Sequence, residues 1–542
     1  MPLNIYNTLK DKAGDMTFST VFYDWTIEGN TPDRLVVKPV DPWAGSTQRA
    51  QELLDAAGVL ERTGPQWQSN WWTPEIEDDI WTTHMHSFNW LRDLRGLGNA
   101  RAKEQGRLMI ENWIENYNSW DKNIWRNDLI GRRLSMWICH YDYFCGEYCD
   151  KLDEAILSSL LKQAKHLSHS LGLDHGTPYL QAIKGLIYAG IALEGYEKWI
   201  EQGLSALTVA LNEQILEDGG HVSRSPSVML HSLEILVDIR TALSAGDYPT
   251  PEYLNSSIEN MSAAIRCIRH RDRKLGLFQG AQEGDAANID SILAQAGTHK
   301  KTKQSLPQTG YERLELGRAL AIMDTGAATK NPYDKSAHAS PLAFEFSYGK
   351  ERLLVSCGSH PLSADWQDAL RFTAAHNTAC LDYRNACEVL KDGHFGRKVT
   401  QTTTHRDSNK DAQLLIASHN GYVSLNGITH TRKLYLGDEG NDLRGEDDLS
   451  CAFDLMKPVE TAIRFHIHPD VTTSLINDDQ DVLLRMPGGI GWRFKHNAGA
   501  LKLEDSVYFG TGVLPRKMKQ IVIYGSMSTN SATVKWSFKR EG

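Results

Sequence analysis

The spacing of apolar residues changes along this chain from a helical to a strand-like period. Between about residue 50 and residue 295, apolar side chains recur every three or four positions, as on one face of an α-helix. The clearest stripes are Ile110, Trp113, Ile114 and Tyr117; Leu157, Leu160, Leu161 and Ala164; Leu204, Leu207, Leu211 and Ile215; and Ile258, Met261, Ile265 and Ile268. Short polar or glycine-containing segments separate these stripes, which predicts antiparallel helical hairpins in series.

After Gly310 apolar and polar residues alternate, as half-buried strands require. The pattern is clearest in LAFEF (342–346), AIRFHIH (462–468), GWRF (491–494) and QIVIYG (520–525). Many such short segments, punctuated by Asn, Asp and Gly, indicate a large antiparallel β-sandwich. Residues 296–310 are polar and basic and include Pro307, so we interpret them as the linker between the two halves.

These patterns predict a multi-domain protein in which an all-helical region precedes an all-β region. We expect an N-terminal extension over residues 1–49 that packs on a helical domain over residues 50–300. The β-sandwich is expected over residues 311–542, with a cleft between the helical and β domains. A chain of 542 residues buries enough surface for a large core without help from metals or disulfides.

Charge and hydropathy narrow the classes of partner. The formal net charge is −10, so no overall positive field exists to hold nucleic acid, and we expect none as a partner. The longest markedly apolar run, residues 185–193, is too short to cross a bilayer, so we expect no membrane span. Asp11 and Asp15 lie where a secretory leader would be apolar, which favours the cytoplasm, with the periplasm as the alternative if a leader has been removed.

Three residues near strand edges are candidate metal ligands. His338 lies just before a strand, Cys357 follows one, and His376 enters another. Two imidazoles and a thiolate are a donor set that zinc accepts. The spacing matches no compact zinc motif, so two hydrogen-bonded histidines and a buried free cysteine are the alternative interpretation.

A polar turn between two predicted helices is a candidate binding site. The stretch DGGHVSRSP (218–226) gathers His221 and Arg224, and the guanidinium could form a bidentate pair with a carboxylate or sulfate. Functional residues concentrate in such loops. The alternative is a capping turn, in which Ser225 caps the next helix and Pro226 is its first residue.

Two further residues of the helical half are candidates for a sugar site. His86 lies close to Trp90 in one predicted helix, and it is either part of such a site or a hydrogen-bonded core histidine. Arg132 either lines the cleft or extends along the helix surface to solvent. The chain contains no glycine-rich phosphate loop, no GxSxG elbow and no HExxH helix, and no pair of carboxylates stands out.

Four stretches make the chain resemble the heparinase II/III family of polysaccharide lyases over roughly residues 50–535. They are DGGHVSRSP (218–226), AHASPLAFEFSYGKERLLVSCG (337–358), RFTAAHNT (371–378) and FHIHPD (465–470). The resemblance implies an incomplete (α/α) toroid followed by a large antiparallel β-sandwich, with an active site in the groove between them. It also implies β-elimination on a uronic-acid polysaccharide.

The resemblance places the family's metal ligands at His338 and His376, with a third ligand near Cys357, and so implies a divalent metal, most plausibly zinc. At the family's catalytic positions this chain carries different residues. An Asn-His pair of the family falls on Thr177 and Pro178, a Tyr-His pair approximately on Val228 and Met229, and a further histidine on Ser336.

These departures shift the catalytic candidates to neighbouring residues. We expect His221 and Arg224 to line the groove, with Arg224 anchoring a substrate carboxylate. His86 and Arg132 are candidates of second rank, and Tyr179 is a neighbouring residue that could substitute for a missing catalytic group.

The sequence therefore predicts a carbohydrate-active lyase that cleaves an acidic polysaccharide or oligosaccharide. One alternative is a glycan-binding protein that keeps the scaffold without its acid and base. Another is a glycoside hydrolase, since helical toroids also carry paired carboxylates. The sequence leaves open whether the protein forms a homodimer.

Overall fold

A computed structural model describes residues 18, 21–61, 72, 79–145, 150–172, 174–297, 302–360 and 362–541. Contacts divide the chain into two compact units. The helical unit comprises Met1–Glu213 and Ser232–Ile258, and the β unit comprises Gln214–His231 and Glu259–Gly542. Parts of the predicted extension (1–17, 19–20) and linker (298–301) lie outside the described residues, and the predicted domain boundaries stay predictions.

The predicted apolar stripes fall on observed helices, except that Ile215 and Ile268 each lie one residue beyond the end of a helix. In chain order the helices are α1 (Val21–Ile27), α2 (Thr47–Glu61), α3 (Asp79–His86), α4 (Trp90–Leu97), α5 (Ala100–Tyr117), α6 (Asn127–Phe144), α7 (Asp150–Ser170), α8 (Gly176–Ala192), α9 (Lys198–Gln214), α10 (Pro226–Ala245) and α11 (Glu252–Cys267). The stripe on α7 is fully buried, because Leu157, Leu160, Leu161 and Ala164 are each at most 3% exposed. Burial of this face, rather than helix propensity alone, stabilises the helix.

Helix α8 is buried along almost its whole length and packs closely on α6. A Cβ on Gly185 would lie 2.3 Å from the Cα of Gly131, so two glycines permit this approach. The apolar run at residues 185–193 is therefore a core helix of the helical unit. No helix among the described residues combines the length and apolarity that a membrane span needs.

The β unit contains two antiparallel sheets. Among the described residues, one sheet has nine strands: β1 (Ser305–Leu306), β2 (Tyr311–Leu316), β3 (Ala319–Asp324), β4 (Phe344–Tyr348), β5 (Glu351–Leu354), β6 (Ala379–Leu381), β11 (Val459–Ile467), β15 (Ala500–Tyr508) and β16 (Arg516–Met527). The other described sheet has eight: β7 (Thr402–Ser408), β8 (Gln413–Tyr422), β9 (Ile428–Gly437), β10 (Asp442–Cys451), β12 (Thr472–Ile476), β13 (Asp481–Arg485), β14 (Gly491–His496) and β17 (Ser531–Arg540).

The strand orders are β1-β2-β3-β4-β5-β11-β16-β15, with β6 beside β11, and β12-β13-β14-β17-β10-β9-β8-β7. All these pairings are antiparallel. The unit also contains α12 (Ala286–Ala296), α13 (Ala364–Arg371) and the short α14 (Val423–Asn426). The four alternating stretches LAFEF, AIRFHIH, GWRF and QIVIYG lie largely on β4, β11, β14 and β16, which confirms those strand predictions.

The two sheets share one hydrophobic core. Phe344 of β4 stacks on Trp536 of β17 with ring centroids 5.4 Å apart, and Phe465 of β11 packs on the same indole. The apolar residues of the alternating patterns, such as Phe344 and Phe346 of β4, are directed into this core, although β4 is buried on its other face as well. The predicted order of a helical region followed by an antiparallel β-sandwich is thus confirmed.

A buried ion pair lies inside this core. Arg432 of β9 donates from Nε and Nη2 to the carboxylate of Asp447 on β10, at 2.8 and 3.0 Å, and both side chains are fully buried. His430 and Trp536 add bonds to the same carboxylate, at 2.7 and 2.8 Å. Burial alone would raise the pKa of Asp447, but Arg432 and His430 hold it well below its usual range.

We predict that Asp447→Asn destabilises the protein strongly, because the buried Arg432 guanidinium loses its counter-charge. Breaking one side of a buried pair costs about 3–5 kcal/mol, so the thermal midpoint should fall clearly. Asp505→Asn is the matched control, since Asp505 pairs with Lys519 at the surface. Equal midpoints for the two variants in a thermal scan would contradict a stabilising role for the core pair.

Candidate active site

A cavity of about 480 Å³ lies in the β unit, and His338, one of the predicted metal ligands, lines it. We call it the His338 cavity. Its charged and imidazole lining residues are Lys335, His338, His360, Asp368, Arg371, Lys391 and Asp392. Three cations face two carboxylates, so the lining is slightly positive on a chain that is negative overall.

His338, which lines the cavity, is in contact with a second buried histidine, His376. Nδ1 of His338 lies 3.1 Å from Nε2 of His376, and both rings are buried. Burial, the neighbouring His376 and Arg371 hold the pKa of His338 well below its usual range, and burial lowers the pKa of His376 to about 3. Both imidazoles are therefore neutral near pH 7.

The second ring nitrogen of His338 is directed towards Gly280. A Cβ on Gly280, which also lines the cavity, would lie 3.5 Å from Nε2 of His338. Because Gly280 has φ of +75°, a larger side chain there would be strained as well as crowded. The glycine thus keeps space open beside this nitrogen.

A hydrogen-bonded loop holds His376 in place. The loop follows α13 and a 3-10 turn at Thr373–Ala375, and its next residue, Asn377, donates to the carbonyls of Phe344 (2.8 Å) and Val355 (3.1 Å). Thr378 donates to the carbonyl of Pro341 at 2.7 Å. The loop is thereby attached to the start of β4, to the segment before it and to the residue after β5, and this holds His376 against His338.

Arg371 ties the two loops that carry the cavity's lysines. Its guanidinium donates to the carbonyls of Ala337 (2.8 Å), Asp334 (3.0 Å) and Gly393 (2.7 Å). The Arg371 side chain is therefore occupied by bonds that hold these loops in place. Lys335 and Lys391, on the loops that Arg371 holds, are exposed and carry the positive charge that a ligand in the cavity would meet.

The structure brings together two of the three predicted metal ligands. Sγ of Cys357 instead lies 3.6 Å from Nδ1 of His466 and 3.7 Å from Oγ of Ser506. Burial raises the pKa of the Cys357 thiol to about 12, so it is a thiol rather than a thiolate. Within the described residues, no group of three or more His, Cys, Asp or Glu side chains could hold a metal ion.

This donor set does not fit a zinc site, which needs at least three protein ligands. The bound zinc that the sequence predicts is not tested by this geometry and stays a prediction. The reaction described below uses only the protein's own groups.

The turn at residues 218–226 is bonded internally rather than presented to solvent. Arg224 donates to the carbonyls of Thr309 (2.7 Å), Ala327 (2.9 Å) and Gly310 (3.3 Å), and it pairs with the carboxylate of Asp324. A role as substrate anchor would require these bonds to open. That predicted role is not supported by the geometry.

His221 is a buried acceptor in the same turn. Its Nδ1 accepts from the backbone N–H of Ser223 at 3.0 Å and lies 2.8 Å from the Ser223 hydroxyl. Nε2 lies 3.4 Å from the side-chain oxygen of Gln214. Burial lowers the pKa of His221 to about 4, so the ring is neutral and shapes the turn. The catalytic role predicted for it stays a prediction.

A chain of polar contacts links this turn to the His338 cavity. Asp324, the partner of Arg224, accepts from the side-chain amide of Gln279 at 2.8 Å. The oxygen of the same amide accepts from the backbone N–H of His338 at 2.9 Å. Arg224 is thus a positioning residue, because its ion pair holds the group that holds His338.

The remaining candidates lie in the helical unit. His86 is fully buried, accepts from Trp113 at 3.0 Å and lies 3.3 Å from the carbonyl of Trp72, as a satisfied core histidine does. Burial lowers its pKa to about 4, lowers the pKa of Arg132 and raises that of Tyr179, which is 9% exposed. Their catalytic roles stay predictions.

Sequence reasoning missed His360, Lys335, Lys391 and Gln279. The signal for Lys335 was present, since it lies three residues before His338 in a polar loop. Lys391 lies at the tip of a hairpin whose ends pair at Val389 and Phe395. Nothing in the sequence shows that this hairpin reaches the same cavity.

We predict that His221→Asn reduces the acid sensitivity of the β unit. His221 has a lowered pKa when folded, so its stabilising effect is complete above pH 6.5 and is lost as the pH falls towards 4. Between pH 7 and pH 5 the wild type should lose about 2 kcal/mol through this group.

Thermal midpoints at the two pH values measure that loss. The variant should show a smaller drop than the wild type. His405→Asn, at an exposed histidine, should behave as the wild type does. An identical drop in all three proteins would exclude His221 as a source of acid sensitivity.

Two family models match consecutive parts of the chain. The model described as heparinase II/III N-terminus matches residues 63–300, and the model described as heparinase II/III-like, C-terminal, matches residues 298–537. A curated relative, FtsZ-localized protein C of Caulobacter vibrioides (strain NA1000 / CB15N), is 28% identical over 540 residues, covering 94% of this chain and 91% of the relative.

Solved structures show the same fold at low identity. A heparinase III gene product superposes with a TM-score of 0.69 at 16% identity, covering 92% of this chain and 85% of the other. Heparan sulfate lyase HepC of Pedobacter heparinus superposes with a TM-score of 0.64 at 14% identity, covering 95% and 86%. These likenesses confirm the expected fold, a toroid followed by a β-sandwich. The two family models, which together cover residues 63–537, show that the chain belongs to the heparinase II/III family of polysaccharide lyases.

Proposed function

We propose that this protein cleaves an acidic, uronate-containing polysaccharide or oligosaccharide by β-elimination in the His338 cavity. The observation that carries the proposal is a neutral imidazole with one ring nitrogen towards the cavity, which exposed lysines also line. Membership of a polysaccharide lyase family supports the reaction class.

The reaction sets two requirements. The proton on the carbon next to a uronate carboxylate is weakly acidic, so the negative charge that develops on the carboxylate must be stabilised as the proton leaves. A base must take that proton, and the leaving oxygen must receive one. No external nucleophile is needed.

Groups of the His338 cavity meet these requirements. Lys335 and Lys391 would bind the carboxylate. In the tautomer whose Nδ1–H donates to His376, Nε2 of His338 carries the lone pair that accepts the proton. The bond between the ring carbon and the glycosidic oxygen then breaks, and the protonated imidazole returns its proton to that oxygen.

We predict that His338→Asn removes the activity, whereas substrate binding persists. Loss of a general base lowers kcat by about 10²- to 10⁴-fold. The measurement is the ultraviolet absorbance of the unsaturated uronate formed from a panel of acidic polysaccharides. Lys335→Gln combined with Lys391→Gln should instead raise KM for charged substrates.

The matched control for the lysine pair is Lys502→Gln combined with Lys517→Gln, two exposed lysines on β15 and β16, and it should leave KM unchanged. New reducing ends without the chromophore would show hydrolysis. Zinc bound one to one, and lost from both His338→Ala and His376→Ala, would make the pair metal ligands and overturn the base role.

A second candidate is a non-catalytic role linked to the protein FtsZ. Thr177, Pro178 and Ser336 stand where the family's catalytic residues are expected. The Caulobacter relative, which is similar over nearly the whole chain, is named for its localisation with FtsZ. Cosedimentation of the purified protein with FtsZ polymers of its source organism, together with no chromophore from any polysaccharide, would favour this candidate.

A further inference from the structure

A second cavity, of about 520 Å³, lies on the eight-stranded sheet of the β unit. We call it the outer-sheet cavity. Its cationic residues come from four different strands: Lys433, Arg444, Lys495, Lys535 and Lys539. The strands bury their alternate residues, among them Leu434, Leu443 and Phe538, in the core between the sheets. The charged residues therefore occupy the face directed away from that core.

The cavity is positive on an acidic protein. Its five cations face two carboxylates, Asp442 and Glu446, whereas the whole chain has a net charge of −10. A concave surface with one predominant sign of charge concentrates ligands of the opposite sign. A volume of this size is within the range of small-ligand sites.

Three of the cations are engaged by neighbouring carboxylates. Lys433 pairs with Glu446 and with Asp448 (2.9 Å), and Lys535 lies 3.2 Å from Glu446. Arg444 pairs with Asp442 and lies over the ring of Tyr435 at 5.8 Å. These contacts fix the centre of the cavity.

The other two cations are weakly compensated. Nζ of Lys495 is 3.8 Å from Asp481, and its side chain is 57% exposed. Lys539 is exposed and makes no ion pair with any residue that the structure describes. An anion could bind these two ammonium groups without breaking a short ion pair.

We propose that the outer-sheet cavity binds a segment of an acidic glycan, as a second site separate from the His338 cavity. The choice of a glycan rests on the proposed function. It also follows from the lining, because the side chains of Asn497, Ser537 and Tyr435 offer neutral hydrogen-bonding groups suited to sugar hydroxyls. Asp442 and Glu446 can accept from such hydroxyls but would repel closely spaced phosphates.

The test uses the full chain and a size-defined heparin oligosaccharide as the probe, with affinity measured by calorimetry. Lys495→Glu combined with Lys539→Glu should weaken binding at the outer-sheet cavity roughly tenfold or more, and the remaining affinity should depend less on salt. Lys502→Glu combined with Lys517→Glu changes the charge equally on β15 and β16 of the other sheet and should leave the affinity within about twofold.

Equal losses in the two double variants would overturn the site, since only net charge would then matter. Tighter binding of a single-stranded oligonucleotide of the same charge would overturn the glycan assignment. If no polysaccharide is cleaved but Lys495→Glu with Lys539→Glu still loses oligosaccharide, the proposed function fails and this site stands. If His338→Asn alone abolishes binding, the outer-sheet cavity is not a site.

Discussion

The ion pair between Arg432 and Asp447 is the constraint on which the β unit and the His338 cavity depend. Two charges with no solvent exposure are tolerated only because both carboxylate oxygens and the guanidinium are hydrogen-bonded. Nη1 of Arg432 donates to the carbonyls of Leu342 and Asn377. Asn377 directly follows His376, so one buried arginine connects the second sheet to the loop that carries the histidine pair.

Buried arginines repeat this arrangement elsewhere in the unit. Arg224 holds Asp324 and, through Gln279, the backbone of His338, whereas Arg371 joins the two loops that carry the cavity's lysines. Arginine suits this work because its planar fork bonds several carbonyls at once and remains charged when buried. The lysines, whose charge is exposed, are then the residues left to meet a ligand. In this unit the buried arginines thus hold the structure together, and the exposed lysines are available to bind a ligand.

Many helices and strands were readable from the sequence because they bury one face. The stripe on α7 and the alternating pattern of β9 follow directly from that burial. Strand β11 is buried on both faces, so its alternating sequence did not report its exposure. The site was readable only in part. The residue pattern and the family resemblance both paired His338 with His376, and the structure places these rings in contact. The sequence also suggested Cys357 as a ligand, but the side chain of Cys357 points to His466 instead. The order of residues along the chain carries no information about that direction.

The role of Arg224 shows most clearly which features the sequence predicts and which only the fold determines. Local pattern identified a polar turn with an arginine and left open whether the turn binds a ligand or serves as a cap. The decision depends on Asp324, Thr309 and Gly310, which lie 85 to 100 residues further along the chain. Periodicity reports which residues are buried, because burial acts on each residue within its own helix or strand. Which charge meets which partner is a property of distant segments brought together, and only the folded chain supplies it.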